Sequence, residues 1–169
     1  MSVSRDIVAT WRRPRQVMRR LLSQGKREDR ALAILIGACL VIFVAQWPRI
    51  SREAYLAGEG AAPLDARLAI TFFAMLMIWP LMAYILAGIS HVVAMIFRGR
   101  GSWYSARLAL FWAMLASSPA WMLHGLVSGF IGPGPAQSGV GALLLLAFLS
   151  IWAICLREAE RGPEAEAAA

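Results

Sequence analysis

Charge is scarce in this sequence. Only 16% of its 169 residues are Asp, Glu, Lys or Arg, where soluble domains carry about 25%. Hydrophobic residues make up 59%, and mean hydropathy is +0.60. That balance excludes a sizeable soluble domain and points to a membrane protein. Cysteine is scarcer still. Cys39 and Cys155 both lie inside apolar runs, and no zinc spacing, paired-Cys motif or haem-attachment motif exists. They read as small buried hydrophobes. Lysine occurs once against sixteen arginines, a bias read as codon usage with no bearing on mechanism. The long basic stretch before the first apolar run has no small-residue cleavage site after it, so a cleavable signal peptide is not expected.

What the sequence does have is long apolar runs, at residues 31–47, 68–97, 108–131 and 140–156, none containing Asp, Glu, Lys or Arg. A hydrocarbon core of about 30 Å takes about 20 helical residues, so each run is long enough for a span. The expected fold is all-α, a polytopic bundle of four transmembrane helices plus an N-terminal amphipathic interfacial helix. Three parts follow: a basic cytoplasmic or interfacial segment at 1–30, the membrane domain at 31–156, and an acidic disordered tail at 157–169. The first run ends at Pro48, and the connection after it has room for a short surface helix over SREAYLA. The second run is too long for one straight span, and WPLMAY offers no turn. One kinked or tilted helix is therefore expected, with a two-span version as the alternative. Ser102 is a candidate cap for the third helix.

Orientation follows the Lys/Arg bias. With the N-terminus in the cytoplasm, fourteen basic residues lie inside and three (Arg49, Arg52, Arg67) outside. Both termini are expected in the cytoplasm, and the locale is the bacterial inner membrane. Trp47 and Trp103 fall where an aromatic belt belongs.

The stretch WRRPRQVMRRLL carries five of these arginines. On a helical wheel Ile7, Trp11, Met18, Leu21 and Leu22 share one face. Arg12, Arg13, Arg19 and Arg20 lie opposite, with Arg15 at the boundary. Pro14 is expected to open a second helix at its first turn. A segregated wheel next to a span predicts a helix lying on an anionic lipid surface. The expected site is Trp11, Arg12, Arg13, Arg15, Met18, Arg19, Arg20, Leu21 and Leu22, with acyl chains on one side and headgroups on the other. An acidic protein partner at the membrane is the alternative, and nucleic acid is not expected.

The arrangement resembles the bacterial branch of the Yip (Ypt-interacting protein) domain family. The resemblance runs through RRPRQVMRRLLSQGKREDRALAILIGACL, a basic helix led by Pro-Arg, a polar break and a first span. It continues in the proline-bearing WPLMAYILAGISHVVAMIF and ARLALFWAMLASSP, and covers most of residues 10–156. The family usually shows five spans where four are read here, and the short polar motifs of its eukaryotic members are absent. The resemblance implies an integral membrane protein acting through membrane or protein contacts.

His91 and His124 are the ionisable side chains inside the runs, and intramembrane ionisable groups are candidate functional sites. Their expected depths differ by well over 10 Å (about 1.5 Å per residue), so they are not read as sharing a metal. Each is expected to bond a backbone carbonyl or serine, or to face interfacial water. Ser128 lies toward the outer face and His91 toward the inner, and no Gly-x-Ser-Gly stretch exists. No catalytic residue, cofactor or metal is therefore assigned. Pro80 and Pro119 mark kinks, with Ser117 and Ser118 positioned to satisfy carbonyls that Pro119 frees; a hinge or substrate site between the two kinked helices is the alternative. Small residues four apart (Ala33 and Gly37; Ala83 and Ala87; Ala109, Ala113 and Ser117) allow close helix packing. The function read from all this is a non-catalytic membrane protein binding anionic lipid and another membrane protein or a second copy. A small channel or carrier is the alternative.

Overall fold

The computed structural model describes residues 3–58 and 60–161. They form α1 (Val3–Arg12), α2 (Pro14–Ser23), α3 (Glu28–Ala57), α4 (Leu64–Phe73), a π-helical turn (Ala74–Ile78), α5 (Trp79–Ile96), α6 (Trp103–Ala116), α7 (Ser118–Phe130) and α8 (Pro135–Ala159). There is no strand among the described residues. Three continuous helical stretches, Glu28–Ala57, Leu64–Ile96 and Pro135–Ala159, are long and apolar enough to cross a membrane. The pair α6–α7, bent by 45°, makes a fourth if it is counted as one span.

The bundle is organised around α6. Leu108, Leu110 and Phe111 are fully buried, and Trp112 nearly so. A helix apolar on every side must be covered on every side. Here α3, α5, α8 and α1 pack around α6, while α7 lies against α3 and α8. The outer faces of α4 and α5 carry Phe73, Leu81, Ile85 and Ile96, all exposed. Apolar surface of that extent needs a lipid or protein cover.

Proline does less damage than the sequence implies. Pro48 was expected to end the first span, yet α3 runs through it to Ala57 and stops at Gly58, whose φ is +72°. The residues after Pro48 are good helix formers, Arg49 and Glu53 pair at 2.9 Å across one turn, and Pro48 itself packs against Gly129. SREAYLA is thus the last part of α3 and forms no separate surface helix. Pro80 sits just after the π-helical turn. A proline ring normally strikes the carbonyl four residues back, and a wider turn opens that spot. Residues 64–96 therefore form one helix, in keeping with one span and not with two.

Ser102 caps α6 as expected. Its hydroxyl accepts from the Ser105 N–H at 3.1 Å, and the Ser105 hydroxyl accepts from the Ser102 N–H at 2.9 Å. The chain breaks at Ser117, whose hydroxyl donates to the Met114 carbonyl at 3.0 Å. Next, α7 packs on α3 through two glycines. A Cβ on Gly125 would lie 2.7 Å from the carbonyl carbon of Ala45, and one on Gly129 would lie 2.7 Å from that of Pro48. Only hydrogen at these positions lets the helices approach so closely. At the far end, Arg52 donates to the carbonyls of Gly129 and Phe130, both at 3.3 Å.

Candidate functional site

The basic N-terminal segment folds as anticipated in outline, with Pro14 opening α2. Its apolar face, however, is turned inward. Val17 and Leu21 are buried and Met18 is fully so, packed in the same core as α6 and α8, with Ile7 and Leu22 against its edge. Met18 and Leu21 therefore do not point to acyl chains, which corrects that part of the expected site, while Leu22 is half-buried. An amphipathic pattern shows that one face has an apolar partner, and here the partner is the chain's own core.

The junction of α1 and α2 is latched to the break between α6 and α7. Pro119 has no N–H, and the Ala120 N–H bonds to the Ser117 carbonyl at 3.0 Å. The Ala116 carbonyl at the end of α6 is thus left without its usual helical donor, and the Trp11 indole N–H supplies one at 2.8 Å. Beside it the Trp112 indole donates to the Thr10 hydroxyl at 3.0 Å, and that hydroxyl donates to the Asp6 carbonyl at 2.7 Å. Ala116 lies thirteen residues, about 20 Å, along α6 from Trp103. The hairpin therefore runs up the side of α6 instead of lying flat across the bundle end.

The arginines of the segment divide into two groups. Arg20 pairs with Asp6 within the hairpin, and Arg19 pairs with Glu158 of α8. Arg12, Arg13 and Arg15 face outward and are exposed. The free end of α2 is tied down as well: Arg30 donates to the Leu21 carbonyl at 2.7 Å, and the Tyr104 hydroxyl donates to the Arg27 carbonyl at 3.3 Å.

His91 meets a carboxylate. It is buried on α5, with Nδ1 2.8 Å from Glu160 Oε1, and its ring meets Trp103 edge to face at 4.7 Å. Glu160 Oε2 accepts from the Gly101 N–H at 3.0 Å, and the Glu160 carbonyl accepts from the Arg100 N–H at 2.8 Å. A Cβ on Gly99 or Gly101 would fall within 2.7 Å of that carboxylate, so the two glycines form its cradle. Glu158 and Glu160 are both buried. The expectation of a disordered acidic tail from 157 is corrected accordingly: α8 runs to Ala159, and ordered contacts continue to Arg161. Residues 162–169 lie outside the described residues. Carboxylates are buried only where partners hold them, and the arginine of α2 and the histidine of α5 do so here.

His124 sits half-buried on α7, with Nε2 3.4 Å from where a Cβ on Gly141 would stand. Gly141 and Glu160 are nineteen residues apart along α8, about 28 Å, so the structure does not bring the histidines together. Among the described residues no three of His, Cys, Asp and Glu gather at metal-binding range. Of the small-residue pairs, Ala83 with Ala87 and Ala109 with Ala113 are buried, whereas Gly37 faces open space.

Sequence reasoning missed Thr10, Gly125, Gly129, Glu158 and Glu160. The spacing Gly125-x-x-x-Gly129 and the flanking of Arg100 by glycines were the available signals. No known family model matches the chain, and neither a curated protein nor a solved structure matches it.

Proposed function

We propose that this chain is a multi-pass protein of the bacterial inner membrane, with both termini in the cytoplasm, that works by contact and not by catalysis. It grips anionic lipid through the outward arginines of α1–α2. It presents the apolar faces of α4 and α5 to lipid and to another membrane protein or a second copy, in the manner the Yip resemblance implies. The observation that carries this reading is the division of labour in the N-terminal hairpin. Its apolar face is spent on α6 and α8, yet Arg12, Arg13 and Arg15 remain exposed beside the spans. Arginine held near a bilayer stretches its guanidinium to the headgroups and draws them toward it. Each such residue contributes about 1 kcal/mol on an anionic leaflet. The channel or carrier alternative is disfavoured because the centre of the bundle is filled by Leu108, Phe111 and Trp112.

The test is lipid selectivity of the full chain reconstituted in mixed bilayers, read by spin-labelled phosphatidylglycerol against spin-labelled phosphatidylcholine. A preference for phosphatidylglycerol that falls with salt and is lost in the Arg12→Gln, Arg13→Gln, Arg15→Gln triple variant supports the reading. Equal association of the two lipids would leave an acidic protein as the partner of these arginines.

A further inference from the structure

A recess of about 770 Å³ opens between the end of α5, the α5–α6 connection and the end of α8. Its rim carries Arg98, Arg100, Arg157 and Arg161, and its wall is Val93, Phe97 and Leu156. The volume suits a small-molecule headgroup. The polar rim lies at the ends of two span-length helices, and the apolar wall runs back along them. A soluble anion needs only the first of these features, whereas a phospholipid uses both.

Two of the rim arginines, Arg98 and Arg157, are placed to take an anion. Among the described residues Glu160 is the one carboxylate lining the recess, and it is already engaged by His91 and the Gly101 N–H. The C-terminal ends of α5 and α8 add about half a negative charge each. Arg98 and Arg157 set two guanidinium groups against that charge at the mouth of the recess. Arg161 is shared with Glu158 at 3.3 Å. Among the described residues no carboxylate pairs with Arg98 or Arg157.

The backbone adds an independent sign. Arg98 has φ +64°, the one positive value at a non-glycine residue among those described. It follows the last turn of α5, where helices commonly end in the left-handed region and glycine is the usual occupant. A strained arginine in a glycine's position is a candidate for function. The glycine stands one residue later, where Gly99 fits against Glu160 and the Ala94 carbonyl.

We infer that this recess binds one anionic phospholipid, its phosphodiester held between Arg98 and Arg157 and an acyl chain laid along Val93, Phe97 and Leu156. The inference rests on the chain being an integral membrane protein but not on the N-terminal arginines. Basic pockets at the inner ends of spans are suited to such headgroups.

The experiment uses the delipidated full chain in neutral detergent, titrated with dioleoyl phosphatidylglycerol and counted by native mass spectrometry. One molecule should bind saturably, and dioleoyl phosphatidylcholine should not. Arg98→Gly with Arg157→Gln should weaken binding about thirty-fold. Arg98→Gly relieves the backbone, so its unfolding midpoint should not fall, and lost binding then reports lost charge. The Arg12→Gln, Arg13→Gln, Arg15→Gln variant should keep the bound lipid, which separates this site from the leaflet contact proposed above. Equal retention of phosphatidylcholine, undiminished binding in the double variant, or displacement by millimolar inorganic phosphate would each overturn the proposal.

Discussion

Replacing Gly125 by alanine adds one methyl group and should separate two helices. The added Cβ would stand 2.7 Å from the Ala45 carbonyl carbon and 3.2 Å from its Cα. Carbon atoms pack at about 3.5–4.0 Å, and the obstacle is backbone, which cannot rotate away. So α7 must retreat from α3 by about 1 Å. A gap of that size forfeits about a quarter to a half of each dispersion contact, itself about 0.1–0.2 kcal/mol. Over a few tens of atom pairs the loss is about 2–3 kcal/mol, within the usual range for overpacking. Gly37 provides the control, on α3 itself. A Cβ there meets nothing within 4 Å, and alanine is favoured over glycine in a helix by about 1 kcal/mol. The same substitution should therefore destabilise at 125 and leave stability unchanged or raised at 37. Unfolding in mixed dodecyl sulfate micelles, followed by tryptophan fluorescence, measures both. Gly125→Ala as stable as the parent, or Gly37→Ala equally damaged, would refute the claim that α3 and α7 meet through the glycines.

Three further outcomes are expected. Trp11→Phe keeps the ring but removes the donor to the Ala116 carbonyl, and should cost about 1 kcal/mol with faster amide exchange in α1. Glu160→Gln removes the charge beside His91; it should lower the unfolding midpoint, while Glu53→Gln on the exposed end of α3 should not. Cys39 and Cys155, both buried and free, should show no bridge by non-reducing mass measurement and should react with maleimide only after unfolding.

The apolar runs, the Ser102 cap and the bend at Ser117–Pro119 were legible because each depends on residues close in sequence. Pro80 was legible as lying inside one helix, although its accommodation by a π-helical turn was not. The rest depends on distant packing. Periodicity reveals that Met18 and Leu21 need an apolar neighbour, but lipid and protein satisfy that need equally. Glu158 and Glu160 looked like part of an acidic tail because their partners, Arg19 and His91, lie 139 and 69 residues away. Pro48 reads as a terminator until Gly129 is placed against it.

The function proposed above sets the basic end of the bundle toward the cytoplasm. Single-cysteine variants at Ser23 and Ser138, in a background lacking Cys39 and Cys155, test it directly with a membrane-impermeant maleimide on intact spheroplasts. The account predicts that the Ser138→Cys variant labels from outside and the Ser23→Cys variant only after permeabilisation. Labelling of the Ser23→Cys variant in intact spheroplasts, with protection of the Ser138→Cys variant, would invert the bundle and contradict the account.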